Sequence, residues 1–93
     1  MDDIIYYNAL FDYYGELLTS TQINYFKAYY CDNLSLSEIS TEYNVSRNAI
    51  SKTLKEVKEK LDYYETKLNL NHNKLKIKTL ISENEFAKIN KYI

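Results

Sequence analysis

The chain has 93 residues, of which 45% are hydrophobic and 27% are charged, and its formal net charge is −1. This length suffices for one domain with a small core, and a dedicated nucleic-acid binder is usually more basic. Because the chain has one glycine and no proline, it can form few tight turns, and we expect an all-α fold.

Cys31 is the only cysteine, which excludes an internal disulfide and fits a reducing compartment. No secretory signal and no apolar stretch of about 20 residues occurs, so we expect a cytoplasmic protein with no membrane segment.

Residues 3–18 are predicted to form a first helix with an unusually wide apolar surface. Its polar strip is narrow and consists of Asn8, Asp12 and Glu16. Two apolar stripes at helical spacing flank each other: Ile4, Tyr7, Phe11, Tyr14 and Leu18, and Tyr6, Leu10, Tyr13 and Leu17. A helix of this kind must be covered on more than one side, either within the monomer or by a partner.

A second helix is predicted over about residues 20–31. Thr19 and Gln22 have the spacing of a capping box, in which two side chains satisfy the free amides of a helix start. Ile23, Phe26 and Tyr30 would form the buried face.

Residues 35–55 have the pattern of a helix-turn-helix. Ser35 and Glu38 form a second potential capping box, and Asn44 stands where a left-handed residue is needed for the turn. Val45 can fill the corner, and Ser46 can cap the next helix. In this motif the second helix can enter a DNA major groove.

The helix after Ser46 is predicted to run from residue 47 to about 68, a length of about 33 Å. Its apolar residues repeat with coiled-coil spacing: Ile50, Leu54, Val57, Leu61, Tyr64 and Leu68. In that register Lys60 and Glu65 could pair across a parallel dimer. Packing of the same face within one chain is at least as plausible, since the seam is short.

The C-terminal part is predicted to be a helical tail. Residues 69–73 read as a hinge or loop, and residues 74–81 favour a helix because a lone strand would have no partner. Ser82 and Glu85 form a third potential capping box, which would open a last helix ending near Lys91.

No catalytic or metal-binding set is visible in the sequence, and we expect no enzymatic activity and no cofactor. His72 is the only histidine, so that with Cys31 it cannot complete a zinc site. The single Gly15 excludes a glycine-rich phosphate loop.

The candidate nucleic-acid contacts lie at the start of the helix that follows Ser46. Arg47 is the only arginine, and residues 47–60 carry a net charge of +3. Arginine and asparagine can bind base edges and lysine suits phosphate. The candidate set is Ser46, Arg47, Asn48, Ser51, Lys52 and Lys55. A solvent-facing helix with paired charges is the competing interpretation.

The chain has eleven tyrosines, and they admit two interpretations. Four adjacent pairs occur among them: Tyr6-Tyr7, Tyr13-Tyr14, Tyr29-Tyr30 and Tyr63-Tyr64. They could form a stacking platform for single-stranded nucleic acid. Filling of the core and of interfaces is the simpler explanation, because such platforms usually lie on sheets.

The sequence resembles the YlxM family of small bacterial helix-turn-helix proteins, which are similar in turn to sigma-factor region 4. The resemblance is carried by several stretches in the same order: Asn-Ala-Leu-Phe-Asp-Tyr-Tyr-Gly-Glu-Leu-Leu-Thr (8–19), Gln22, Tyr25, Tyr29-Tyr30, Leu-Ser-Leu-Ser-Glu-Ile (34–39), Val-Ser-Arg-Asn-Ala-Ile (45–50) and Tyr-Glu-Thr-Lys-Leu (64–68). Ser40 and Asn44 depart from the alanine and glycine usual in the family, and the turn tolerates both.

This resemblance implies an all-α helix-turn-helix protein without a wing, and a homodimer. Family genes commonly neighbour that of the signal recognition particle GTPase, which implies a regulatory or accessory role in that targeting pathway. The length of the chain, the apolar stripes of the first helix and the coiled-coil spacing of the long fourth helix lead us to expect that residues 1–93 form one helical domain, with dimerisation helices at about 3–18 and 56–91. The expected dimer contacts are Ile4, Tyr7, Phe11, Tyr14, Leu61, Tyr64 and Leu68.

Two functional hypotheses remain open at this point. One is a DNA-binding regulator that acts through residues 46–55. The other is an accessory protein that contacts the signal recognition particle GTPase or its RNA and uses the helix-turn-helix as a scaffold.

Overall fold

The computed structural model describes residues 2–93, which contain α-helices and short 3₁₀ and π segments and no strand. The α-helices are α1 (Asp2–Tyr14), α2 (Ser20–Phe26), α3 (Leu36–Tyr43), α4 (Arg47–Leu68), α5 (Leu70–Leu80) and α6 (Glu83–Ile89). Single 3₁₀ turns follow α1 at Gly15–Leu17 and α6 at Asn90–Tyr92, and a π-helical segment, Lys27–Cys31, follows α2. The all-α prediction is confirmed.

The long helix α4 is the centre of the fold, because α1, α2 and α3 all pack against it. Towards its C-terminal half, Val57 and Leu61 are buried in a cluster with Leu10, Tyr14 and Phe26. In its N-terminal half, Ile50 and Leu54 are buried in a second cluster that includes Tyr25, Ala28 and Ile39. The first cluster joins α1 to α2 and α4, and the second holds the helix-turn-helix together.

The coiled-coil spacing of α4 is therefore used mostly within one chain. Ile50, Val57 and Leu61 are each 0% exposed, whereas Leu68 at the end of the series is 52% exposed. The predicted pairing of Lys60 with Glu65 across a dimer does not fit this structure. Lys60 donates to Gln22 Oε1 at 3.2 Å, and Glu65 is 8% exposed and bound within its own chain.

The predicted loop at residues 69–73 is wrong, since only Asn69 interrupts the helix. Asn69 is left-handed (φ 55°), its amide donates to Glu65 O at 2.8 Å, and α5 begins at Leu70. The buried Glu65 carboxylate accepts from the amides of Asn71 (3.2 Å) and His72 (2.9 Å), so it caps the new helix from the preceding one. This cap could not be predicted from the sequence, because it depends on the position of α5 relative to α4.

The C-terminal helices fold back towards α1. Ser82 and Glu85 form the predicted capping box, with bonds of 3.0 and 3.1 Å. Lys78 on α5 lies 5.6 Å from the centre of the Phe86 ring on α6, and Tyr13 Oη donates to Ile93 O at 3.3 Å. The tail is thus helical, as predicted, and it contacts the first helix.

Candidate nucleic-acid interface

The turn between α3 and α4 is fixed by short-range hydrogen bonds. Ser35 and Glu38 form the predicted capping box at the start of α3. Asn44 ends α3 in the left-handed conformation, with φ 55° and ψ 47°. The amide of Val45 donates to Ser40 O at 3.2 Å, while Ser40 Oγ donates to Val45 O. Since Val45 also packs on the second core cluster, the corner is held from both its polar and its apolar side.

Ser46 sets the start of α4. Its Oγ accepts from the Ala49 amide at 3.0 Å, which confirms the predicted N-cap. Arg47 is therefore the first residue of α4, and both Arg47 and Asn48 are exposed. The exposed first turn also carries the partial positive charge of a helix N-terminus, which favours an anion such as phosphate.

A shallow groove of about 500 Å³, called here the corner groove, lies between α3 and α4. It brings together four of the six predicted contact residues with two residues of α3: Ser46, Arg47, Asn48, Ser51, Leu36 and Ser40. Lys52 and Lys55 are exposed on α4 but do not line this groove. The structure thus clusters the groups suited to base or backbone recognition and leaves both lysines outside the corner groove.

A second groove of about 240 Å³ adjoins the corner groove and is called here the tyrosine groove. Ser51 and Leu36 line both grooves. The tyrosine groove is lined by Tyr29, Tyr30, Leu36, Ser51, Leu54, Lys55 and Lys58. The tyrosine pair was visible in the sequence, but its position beside α4 depends on the π-helical turn, which the sequence did not predict.

Positive charge lies in the two grooves, and negative charge lies on the outer surface of α3. Lys55 and Lys58 belong to the tyrosine groove, whereas the outer surface of α3 exposes Glu38 and Glu42. Glu38 is engaged in its capping box, yet its charge remains at the surface. Leu36 and Ser40 line the corner groove, whereas Glu38 and Glu42 line a separate recess. Residues two positions apart on a helix point to opposite sides, so a nucleic acid that follows α4 would meet the lysines and not these carboxylates.

The predicted dimer contacts occupy different environments. Tyr14 and Leu61 are 1% and 0% exposed within the single chain. Tyr7, Phe11 and Tyr64 are half-buried against the first core cluster. Ile4 and Leu68 are exposed. Dimerisation itself stays a prediction, and the side chains open to a partner at this surface are chiefly Ile4 and Leu68.

A buried hydrogen-bond cluster lies away from the grooves, where Tyr14 meets Glu65. Tyr14 Oη donates to Glu65 Oε1 at 2.7 Å and accepts from the Leu70 amide at 3.2 Å. Burial, followed by the bond to the Glu65 carboxylate, raises the pKa of Tyr14 to about 12. This cluster joins α1, α4 and α5 and is structural.

Within residues 2–93, no group of three or more histidine, cysteine or acidic side chains is placed to hold a metal ion. Across the same range, none of the helices combines the length and the apolar character needed to cross a bilayer. Cys31 is exposed, with its Sγ 3.7 Å from Asn8 Oδ1.

Two helices joined at a left-handed Asn44, with the second capped by Ser46 and exposing Arg47, define a helix-turn-helix protein. The chain belongs to the UPF0122 family, described as "Putative helix-turn-helix protein, YlxM / p13 like", whose profile matches residues 1–92.

Curated relatives carry the same family name. A UPF0122 protein of Lactococcus lactis subsp. cremoris (strain MG1363) is 42% identical over 76 residues, which are 82% of this chain and 68% of the relative. UPF0122 protein ABC2295 of Shouchella clausii is 46% identical over 70 residues, covering 75% of this chain and 64% of the relative. One from Desulforamulus reducens is 51% identical over 63 residues, covering 68% of this chain and 54% of the relative. The aligned part thus spans between about half and two thirds of these relatives.

Proposed function

We propose that the protein is a regulatory nucleic-acid-binding protein that contacts duplex DNA through the first two turns of α4. The observation that carries this proposal is the corner groove, in which Arg47 and Asn48 project from a capped helix start beside Ser51. Arginine binds guanine and asparagine binds adenine through paired hydrogen bonds in the major groove.

The rigid turn supports this proposal. Ser40, Val45 and Ser46 are all tied by hydrogen bonds within the corner. A recognition helix must be held at a fixed angle to its supporting helix, because misplaced side chains lose paired contacts to base edges. The exposed Lys52 and Lys55 would contribute contacts to phosphate that do not depend on sequence.

A salt titration tests the proposal. Binding of a fluorescently labelled DNA duplex would be followed by anisotropy between low and moderate ionic strength. We expect affinity to fall as salt rises, with a slope of about −0.9 for each phosphate contact. Arg47→Ala should weaken binding by about 1–3 kcal/mol if Arg47 makes a bidentate base contact. Lys67→Ala, on the same helix but beyond both grooves, is the matched control. Equal weakening by both variants would contradict a specific role for Arg47.

The acidic surface of α3 favours a second candidate function. Glu38 and Glu42 line a separate recess on the outer surface of α3, and the whole chain has a formal net charge of −1. These charges oppose close approach of a DNA backbone along α3. The resemblance to the YlxM family supports an accessory role in the signal recognition particle pathway, in the cytoplasm, with contact to the particle's GTPase or RNA.

Purified components separate the two candidates. An accessory protein should be retained by the immobilised GTPase or its RNA and should show no salt-dependent affinity for duplex DNA. A DNA regulator should show the opposite. Arg47→Ala should leave retention by the GTPase unchanged in the first case.

A further inference from the structure

We propose that the tyrosine groove binds one unpaired base of a nucleic-acid strand, with Tyr29 stacking on the base and Lys55 contacting a neighbouring phosphate. This inference rests on the proposed function of α4 and adds a second, shape-dependent contact to it. DNA and RNA share this chemistry, and the experiment below distinguishes them.

The size of the tyrosine groove suits a single planar group. Its volume is about 240 Å³, whereas sites for complete small-molecule ligands typically measure about 300–1,000 Å³. Leu36 and Leu54 give it an apolar floor, and Ser51 adds a hydroxyl that can donate or accept. An apolar slot with a few polar groups at its edge is suitable for a base.

An aromatic stack fixes one wall of the groove. Phe11 and Phe26 are parallel, with ring centres 4.3 Å apart, and Tyr30 stacks on Phe26 at 4.6 Å. Tyr29 meets Tyr30 edge to face at 5.1 Å and remains 37% exposed. The ring of Tyr29 is therefore supported from the core and still reaches solvent. Stacking on such a ring tolerates any base, because every base has a π-face.

The π-helical segment brings the two tyrosines to this position. The amide of Asp32 donates to Lys27 O at 2.9 Å, a bond that spans five residues. Segments of this kind are rare and occur often at functional sites. Neither proline nor glycine lies in Lys27–Cys31 to account for it. The wider turn changes the directions of Tyr29 and Tyr30 relative to an α-helix, and both line the groove beside α4.

The two grooves form one continuous surface. Ser51 and Leu36 belong to both, and Lys55 lies one turn after Ser51 on the same helix. A strand that contacts Arg47 in the corner groove would therefore pass directly to Tyr29. An acidic peptide would also be attracted by Lys55, but it would make no use of the exposed aromatic face, so the combination favours a base with its phosphate.

The test uses the full chain and four hairpin probes. One DNA and one RNA hairpin each carry a single unpaired 2-aminopurine, and the other two are their fully paired counterparts. We expect the wild type to prefer the unpaired-base probes by roughly 5- to 150-fold, the range that one stacked base supplies, and to change the fluorescence of the 2-aminopurine. The preference can hold for DNA, for RNA or for both. Each of these results supports the inference and identifies which nucleic acid supplies the unpaired base.

Variants at exposed tyrosines make the test specific. Tyr29→Leu removes the aromatic ring at a surface position, and it should abolish the preference while leaving affinity for paired DNA unchanged. Lys55→Gln should reduce the affinity for every probe. Tyr63→Leu is the control, because Tyr63 is also on the surface (59% exposed) with Lys67 5.6 Å from its ring centre, but lies outside both grooves. Thermal melting would confirm that all three variants fold.

The outcomes separate this inference from the proposed function. If Arg47→Ala weakens binding to paired DNA but Tyr29→Leu leaves the preference intact, the stacking site is refuted and the role of α4 stands. Absence of any preference in the wild type refutes it equally. If no hairpin binds, both the inference and the proposed function are wrong. If no probe binds but an acidic peptide binds and Tyr29→Leu abolishes that binding, the tyrosine groove is a protein-binding site and the inference is refuted.

Discussion

Tyr14 on α1 donates a 2.7 Å hydrogen bond to Glu65 on α4, and the same carboxylate caps α5 through the amides of Asn71 and His72. One buried acid thus connects three helices. These bonds satisfy two amides at the start of α5 that would otherwise be unpaired. The cluster sets the direction in which the C-terminal tail leaves α4.

Tyr14→Phe should destabilise the protein. It removes a bond to a charged acceptor and leaves the Leu70 amide without its partner, so we expect a loss of about 1.5–3 kcal/mol in the free energy of unfolding. Chemical denaturation with the exposed Tyr63→Phe as control would measure it, and the control should change stability by less than about 0.5 kcal/mol. Equal stability of Tyr14→Phe and Tyr63→Phe would show that the hydroxyl of Tyr14 does not stabilise the fold.

Alkaline pH should weaken the fold through Tyr14. Its pKa is raised from the ordinary 10.0 to about 12 by burial and by the bond to Glu65. Above pH 10 the unfolded chain releases this proton while the folded chain keeps it, so this contribution is complete below pH 10 and is lost as pH rises towards 12. Denaturation at several alkaline pH values would show a smaller decline for Tyr14→Phe. Burial also raises the pKa of Tyr6 and Tyr13, and the difference between wild type and variant isolates Tyr14.

The protein should be a dimer in solution. Light scattering at micromolar concentration is expected to give about twice the chain mass of 11.1 kDa. Leu68→Lys should shift the mass towards the monomer without unfolding the chain, because Leu68 is 52% exposed. Phe11 is unsuitable for this test, since it stacks on Phe26 in the core. A wild type of 11.1 kDa at all concentrations would exclude the dimer.

Features that depend on neighbouring residues were predictable from the sequence. The three capping boxes, the left-handed Asn44 and the start of α4 after Ser46 agree with the structure. In each case the hydrogen bonds join residues three to five positions apart, so the pattern of residue types contains the information. The extent of α4 was likewise readable from its apolar spacing.

Features that depend on packing were not predictable. Glu65 has the same surroundings in sequence as a surface carboxylate, and only the approach of α1 and the turn at Asn69 make it a buried cap. The π-helical turn at Lys27–Cys31 has no sequence signal, and with it the tyrosine groove was missed. The apolar spacing of α4 is compatible with a partner helix or with α1. The cluster that Leu61 forms with Leu10 and Phe26 shows that α1 and α2 cover this part of α4.

Ser46 provides the most direct test of the role of α4. One substitution there removes the N-cap, and another keeps the N-cap but adds a negative charge at the start of the helix. Ser46→Ala removes the bond to the Ala49 amide and should cost about 1 kcal/mol of stability. Ser46→Asp should keep both the cap and the stability, since aspartate is also a good N-cap and its charge is favourable there. It would place a negative charge where phosphate would bind.

The deciding measurement is therefore the affinity of Ser46→Asp for duplex DNA, taken with its melting temperature. If α4 binds nucleic acid through its first turns, Ser46→Asp should melt like the wild type and bind DNA much more weakly. A variant that melts like the wild type and binds DNA with undiminished affinity would contradict this role.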